Sequence, residues 1–320
     1  MKKRTIIALI VAAVLIFAGG LLLVLGLSFA GDSTRESTLI TREVTVTEDF
    51  DKILIDTDIS DVKFVPYNGA ADPQVTFREQ ENIGHSVTVE DGTLKIQMVD
   101  ERNWTDHIGI FDLFGQLESP EITLYLPNTQ YASVRISTDT GDIQIPGTLD
   151  AWEVLLRTDT GDISCVGISG DVLDCMSATG DISVQNSVPN VMRLQSDTGD
   201  CKVRVAAGDE IHMITTTGDK ELENVTCKRL TCESNTGDVE LEQVNAEEYL
   251  QVFTTTGDVE IESCDAGVVN IETDTGDVSG HFLSSKWFQA HSDTGNVKVP
   301  HTREGGECRI ESNTGSIHFE

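Results

Sequence analysis

Ten glycines, at positions 141, 161, 180, 199, 218, 237, 257, 276, 295 and 315, recur every 19 or 20 residues; each follows a Thr, and all but the last two precede an Asp. A period this short cannot hold a helical hairpin or a propeller blade, and it suits a solenoid whose repeat is one coil of strands. Positions counted from each glycine separate inside from outside. Seven before it stand Val134, Val154, Leu173, Met192, Ile211, Leu230, Leu250, Val269, Phe288 and Cys308, all apolar. The column five before (Ile136 to Ile310) is apolar too, as is the column four after (Ile145 to Phe319) apart from Gly280. Intervening positions are mostly polar, so each rung reads as two alternating strands flanking one turn. Rungs stacked in chain order at ~4.8 Å build a continuous core with ladders of Thr and Asp along one edge.

One column is broken. Two after the glycine stand Ile, Val or Cys in every copy but one, where Lys220 appears. An unpaired buried ammonium is too costly, so a local bulge or a side chain that snorkels outward is expected there.

The segments before the first clear repeat divide the chain further. Residues 1–4 carry three cations and read as a cytoplasmic tail; residues 5–30 are uncharged and almost wholly apolar, long enough to cross a bilayer as one helix. A signal peptide cleaved after Ala30 is the competing reading, and in both the remainder is exported. Residues 31–43 are polar and Ser/Thr-rich, as a stalk would be, and residues 44–127 read as irregular N-terminal coils and cap of the solenoid that fills 128–320. Asp58-Ile59-Ser60-Asp61-Val62 is a worn copy of the turn, with Ser60 in the glycine's place. An aromatic insertion at 104–117, with Trp104, Phe111 and Phe114, stands outside the repeat. It reads either as a plug on the solenoid's open end or as an apolar patch that meets a partner.

Charge excludes one class of partner. With 54 acidic against 22 basic residues, three of the latter at positions 2 to 4, the body has no electrostatic footprint for nucleic acid. Asp-Thr-Gly recurs at 139, 159, 197, 274 and 293, but the Asp is replaced in other copies, for instance by Ala178 and Asn235, so it is a turn and not a protease carboxylate. No His, Ser or Gly motif with catalytic or metal-ligand spacing is present. Of the seven cysteines, Cys165, Cys175, Cys201, Cys232 and Cys308 fall in inward columns; Cys227 and Cys264 fall in mixed columns and are expected to be the exposed or reactive thiols. The acidic ladder Asp142, Asp162, Asp181, Asp200, Asp219, Asp238, Asp258 and Asp277 is the only feature like a metal site. Neighbouring charges repel by roughly 0.5 kcal/mol in salt, which turn hydrogen bonds can offset, so a solvated edge with at most weak calcium binding is expected, and no cofactor.

The turn Val134-Arg135-Ile136-Ser137-Thr138-Asp139-Thr140-Gly141-Asp142-Ile143, its copies, the N-terminal span and Leu124-Tyr125-Leu126-Pro127 resemble the bacterial "putative adhesin" β-solenoid domains of unknown function, related to the head domain of proposed autotransporter adhesins. The resemblance covers residues 44 to 320 and implies a cell-surface solenoid without catalytic residues. The expectation is an all-β chain: a parallel β-solenoid with 19-20-residue rungs, preceded by one N-terminal transmembrane helix, acting as a non-enzymatic adhesin or envelope interaction scaffold with a protein or cell-envelope partner. An envelope-stress regulator that binds a membrane partner is the alternative. A polysaccharide-acting enzyme is a third reading, opposed by outward columns poor in Arg and Lys.

Overall fold

A computed structural model describes residues 39–69, 71–79, 83–100 and 119–320. Among them every regular element is a strand, and no helix is long and apolar enough to cross a membrane. The 5–30 span and the 104–117 insertion lie outside the described residues.

Residues 39–320 form one unit, a parallel β-solenoid. The repeat phase sets its register: Val154, Leu156 and Thr158 pair with Val134, Ile136 and Thr138 on one side and with Leu173, Cys175 and Ser177 on the other. Each column therefore stacks on itself. From the Gly141 coil to the Gly276 coil the predicted inward columns are buried throughout, apart from the half-buried Gly280.

Each coil has more inward positions than two strands and one turn supply. Behind the second strand a further buried pair appears seven and nine after the glycine, as in Val225 and Cys227 or Val244 and Ala246. A second corner turns the chain toward it. Six after the glycine, Asn186, Val205, Asn224, Gln243 and Ser263 all adopt φ of 50 to 55°, and Gly167 stands at 72°. Asn and Gly suit this left-handed conformation, whereas the β-branched Val205 is strained in it.

The repeat glycine is required by close approach. A Cβ on Gly218 would lie 2.1 Å from the carbonyl oxygen of Gly199, and its φ of 144° is closed to other residues. Adjacent coils touch backbone to backbone at this edge.

Chain order and stacking order part company at both ends. At the N-terminal end β1 (Ile40–Thr45) leads to β2 (Lys52–Thr57) and β3 (Asp61–Tyr67), followed by β4 (Gln74–Glu79), β5 (Ile83–Glu90), β6 (Thr93–Asp100), β7 (Glu121–Pro127), β8 (Gln130–Thr140) and β9 (Ile143–Ile145). The β2–β3 coil lies between the β6–β7 coil and the β8–β9 coil, parallel to both. Antiparallel strands then cover the outside: β5 on β6, β4 on β7, and β1 on β4. At the C-terminal end the strands of the Gly276 coil pair with those of the Gly315 coil, and the Gly295 coil lies outermost. The expectation of sequential stacking thus fails for the last two glycines. Phe288, Ala290 and Val299, expected inward, are only half-buried because nothing described stacks on their outer side.

Two glycines let the last coil slide in. A Cβ on Gly305 would sit 1.7 Å from the Ser285 oxygen, and one on Gly306 2.3 Å from the Gly267 oxygen. Across Gly306 the buried Lys286 ammonium of the outer coil donates to the carbonyl of Ala266 at 2.7 Å and also to Asp265, so the outer coil is clasped to the one beyond the insert.

Candidate functional site

The Asp after each glycine is a backbone acceptor before it is anything else. Its Oδ1 receives the amide of the next coil's equivalent residue: Asp162 N–H to Asp142 at 2.9 Å, Asp181 to Asp162 at 2.8 Å, and so on through Asp200, Asp219, Asp238 and Asp258 to Asp277 N–H at 2.7 Å. The ladder starts one coil earlier than the repeat does, because Asp61 accepts from the Asp142 amide at 2.9 Å. It ends where stacking order dictates. Asp277 accepts from the Ser316 amide at 2.7 Å, and the outermost Asn296 has no described coil beyond it to cap. The second oxygen of Asp200 lies 3.7 Å from the Lys202 ammonium. Among the described residues no group of three or more His, Cys, Asp or Glu side chains converges as a metal site.

A second ladder runs beside it and was not read from sequence. Three before each glycine every copy holds Ser or Thr, from Thr138 to Ser312. These hydroxyls are mostly buried and donate to the carbonyl of the neighbouring coil's glycine, as Thr158 does to Gly141 at 3.1 Å and Ser196 to Gly180 at 2.9 Å. Lys220 exploits this column. The backbone stays in register between Cys201 and Val239, and the side chain is only 1 % exposed, so neither bulge nor snorkelling occurs. Its ammonium donates to Thr215 Oγ1, whose own hydroxyl turns to Gly218 O of the same coil at 3.0 Å and lies 3.3 Å from Ser234 Oγ in the next. Burial holds the Lys220 ammonium below the ordinary lysine range, with nearby thiols and carboxylates pulling the other way.

The cysteine expectation also needs correction. Cys227 and Cys264 are buried like the other five, because the seven-after and nine-after columns face inward; burial pushes the Cys227 thiol up to about 12 and the Cys264 thiol up to about 11. Neither is a reactive thiol.

At the N-terminal cap three residues take the geometry of a nucleophile, base and acid. Ser60 Oγ lies 3.3 Å from His85 Nε2, and His85 Nδ1 lies 3.1 Å from Glu79 Oε2, which Arg42 Nε holds through Oε1 at 2.8 Å. Ser60, however, has no exposed surface, and Thr57 shares the same nitrogen at 3.1 Å. Thr57 is the first hydroxyl of the Ser/Thr ladder among the described residues, and His85 Nε2 is its hydrogen-bond partner there. Burial holds His85 below the usual imidazole range despite the Glu79 carboxylate, and Glu79, pushed up by burial, is held low on balance by Arg42 and His85. Sequence reasoning had no purchase here, since the three residues share no motif.

The outer surfaces of the coils differ in chemistry. Beside the Asp ladder the outward positions three and five after the glycine carry Glu221, Glu240, Glu260, Glu223, Glu242 and Glu262. The sheet before the glycine instead presents Arg135, Arg157, Arg193, Arg229 and Arg309 among half-buried or exposed apolar groups such as Leu155, Met176, Phe253 and Val268. A concavity of about 320 Å³ opens on it, lined by Leu54, Leu155 and Met176 with Arg135, Arg157 and Asp174. Burial raises the Asp174 carboxyl even though Arg193 and Arg157 draw it down. Trp104, Phe111 and Phe114 lie outside the described residues and enter neither surface.

Solved structures share the fold. A "putative adhesin" from Parabacteroides merdae matches with a TM-score of 0.51 at 12% identity, over 77% of this chain and 97% of that one. A second, from Parabacteroides distasonis, matches with a TM-score of 0.53 at 13% identity, over 77% and 98%. No curated protein matches in sequence. The family model described as Toastrack DUF4097 matches residues 50–224 and 207–320, nearly the whole solenoid, and the chain belongs to that family.

Proposed function

We propose that this chain is a non-enzymatic adhesin-like scaffold, displayed outside the cell by its 5–30 span, that engages an envelope or cell-surface partner through the Arg-bearing sheet before the glycines. The observation that carries this reading is the division of the surface: one edge lined by the Asp ladder and tied into backbone capping, one sheet mixing arginines with exposed apolar groups around a shallow concavity. A flat sheet of that composition is suited to binding an extended surface, where rigid apolar and Arg groups supply most of the affinity. The nucleophile-like Ser60 is sealed from solvent, which opposes a hydrolytic reading.

The test uses the producing bacterium. The full chain should stay with membranes through a carbonate wash, and protease added to intact cells should remove the solenoid. Arg135→Glu with Arg157→Glu should leave both properties unchanged and lower adhesion of intact cells to the surface or cell type they bind at least fivefold. Recovery of the chain in the soluble cytoplasmic fraction, or wild-type adhesion by the double variant, would contradict the proposal.

A further inference from the structure

The face that carries Arg135 and Arg157 changes character further along the stack. From the Gly218 coil to the Gly315 coil a second concavity, of about 380 Å³, opens on it, with no Lys or Arg in its lining. In the column four before the glycine, Glu233, Phe253 and Glu272 stand side by side in successive coils. Phe253 is the only Phe, Trp or Tyr of that column in all ten copies, and its side chain is half-buried between the two carboxylates. The one other carboxylate of the column, Glu311, is held at 2.7 Å by Arg309 of its own strand.

Among the described residues neither flanking carboxylate is paired with a Lys or Arg. His212 Nε2 lies 3.4 Å from Glu233 Oε1, and Asn270 Nδ2 donates to Glu272 Oε1 at 3.1 Å. Fixing Glu272 leaves Asn270 Oδ1 buried without a hydrogen-bond partner among the described residues, a cost that solvating a surface carboxylate does not require. Charge then selects the class of occupant. An anion would face Glu233, Glu272 and Asp274 together, and among the described residues no three carboxylates converge as a metal ion requires. An organic cation fits, because an apolar ring between two carboxylates complements an apolar chain between two ammonium groups. The two carboxylate-bearing strands lie two spacings apart, about 9.6 Å. Four or five methylenes, zigzagging at ~1.5 Å per bond, hold two ammonium groups about 6–8 Å apart, and a charge-assisted hydrogen bond of about 2.8 Å at each end spans the rest.

We propose that this groove binds linear aliphatic diamines, with the methylene chain on the Phe253 ring and one ammonium donating to each of Glu233 and Glu272. A single exposed ion pair contributes little, but joining two ammonium groups makes the second pairing intramolecular. The ring adds apolar contact for the chain and attraction for both cations. Selectivity over a monoamine and over an inorganic cation follows from the same spacing. Arg135 and Arg157 lie outside this groove, so adhesion through those residues does not depend on it.

Calorimetric titration of the full chain in detergent micelles with 1,4-diaminobutane, at physiological salt, tests the proposal. One saturable site is expected, with a dissociation constant at or below about 1 mM. Glu233→Gln with Glu272→Gln, nearly isosteric changes at outward positions, should weaken binding at least tenfold, and Phe253→Ala should do the same. The monoamine n-butylamine should bind at least tenfold more weakly than the diamine, and equimolar calcium should leave the diamine's affinity within twofold. Glu240→Gln with Glu260→Gln, adjacent exposed carboxylates on the strand after the glycine with no aromatic between them, should change nothing. Should the Phe253 variant lose its strand circular dichroism, the Glu233 and Glu272 pair decides the matter. Absence of saturable binding, equal affinity for n-butylamine, displacement by calcium, or equal losses in the two Gln pairs would overturn the proposal in favour of general counterion attraction to an acidic chain.

Discussion

The two ends of the solenoid meet the same hazard in part alike and in part oppositely. At both, the coil nearest a terminus is inserted beneath an outer coil drawn from elsewhere in the chain: β2–β3 under β6–β7, and the Gly315 coil under the Gly295 coil. A strand held on both sides cannot fray as a terminal strand does, so both ends of the ladder are pinned. The difference lies outside the outer coil. The N-terminal end adds antiparallel strands and an Arg42–Glu79–His85 relay at the hydroxyl ladder, whereas no described strand lies outside the Gly295 coil at the C-terminal end. Pinning the chain does not close the sheet: β1 and β5 at one end and the Gly295 coil at the other are each paired on one side only among the described residues.

The largest effects should come where backbones touch. Gly218→Ala in the middle and Gly306→Ala at the insertion both place a Cβ within 2.3 Å of a carbonyl oxygen, so each is expected to cost at least about 3 kcal/mol in chemical denaturation. If the two ends are pinned independently of the middle, hydrogen exchange after Gly306→Ala should rise first in residues 283–320 and leave β2–β3 protected. Asp265→Ala comes next, since it leaves the buried Lys286 without its carboxylate; a loss of about 3 kcal/mol is expected, and Lys286→Met should lose less.

Acid should separate the ends. His85 has a depressed pKa in the folded chain, so its contribution is whole above the unfolded value near 6.5 and falls away as pH drops from there toward the folded value. Asp265, raised by burial but held low on balance by its hydrogen bonds with Lys286 and Ser284, keeps its contribution until pH falls below the unfolded carboxylate range near 4. Between pH 7 and 5, amide protection relative to the intrinsic exchange rate at each pH should therefore fall in Ile83–Glu90 and not in Gly306–Thr314. An equal loss of protection at both ends would remove the distinction between a relay-held end and a clasped one.

The smallest effects lie in the middle, where two residues oppose their columns. Lys220→Val replaces a buried ammonium with the side chain its neighbouring coil carries and frees Thr215 to rejoin the hydroxyl ladder; a gain of about 1–3 kcal/mol is expected. Val205→Asn relieves a β-branched residue at φ 52° and should gain about 1 kcal/mol. Both are read as shifts of the melting temperature.

These particulars show what a repeat makes legible. The columns around the glycine could be read because each residue type is repeated in phase, and the turn role of the Asp followed from its chemistry. The second corner was harder: Asn186, Asn224 and Gly167 signal it, but Val205, Gln243 and Ser263 dilute the signal. Lys220 was misplaced because its partner is a hydroxyl five residues earlier, on a column whose inward role the alternation pattern does not reveal. The exchanged order of the last coils leaves almost no trace, since the Gly295 and Gly315 coils carry the same pattern and either would fit the stack. In retrospect Asn296, Ser316 and the Gly305–Gly306 pair are its marks.

That exchange is the central claim, and paired cysteines test it directly. Asn270 lies opposite Arg309 in the stack, on the outward face, while Gln289 lies one coil further out, opposite Arg309 on its other side. Adjacent parallel strands at ~4.8 Å permit a disulfide, and strands two spacings apart exceed the ~7 Å Cα limit. Asn270→Cys with Arg309→Cys should oxidise to a cross-link inside one chain, and Asn270→Cys with Gln289→Cys should not. The reverse result would place the coils in chain order and contradict the inserted end.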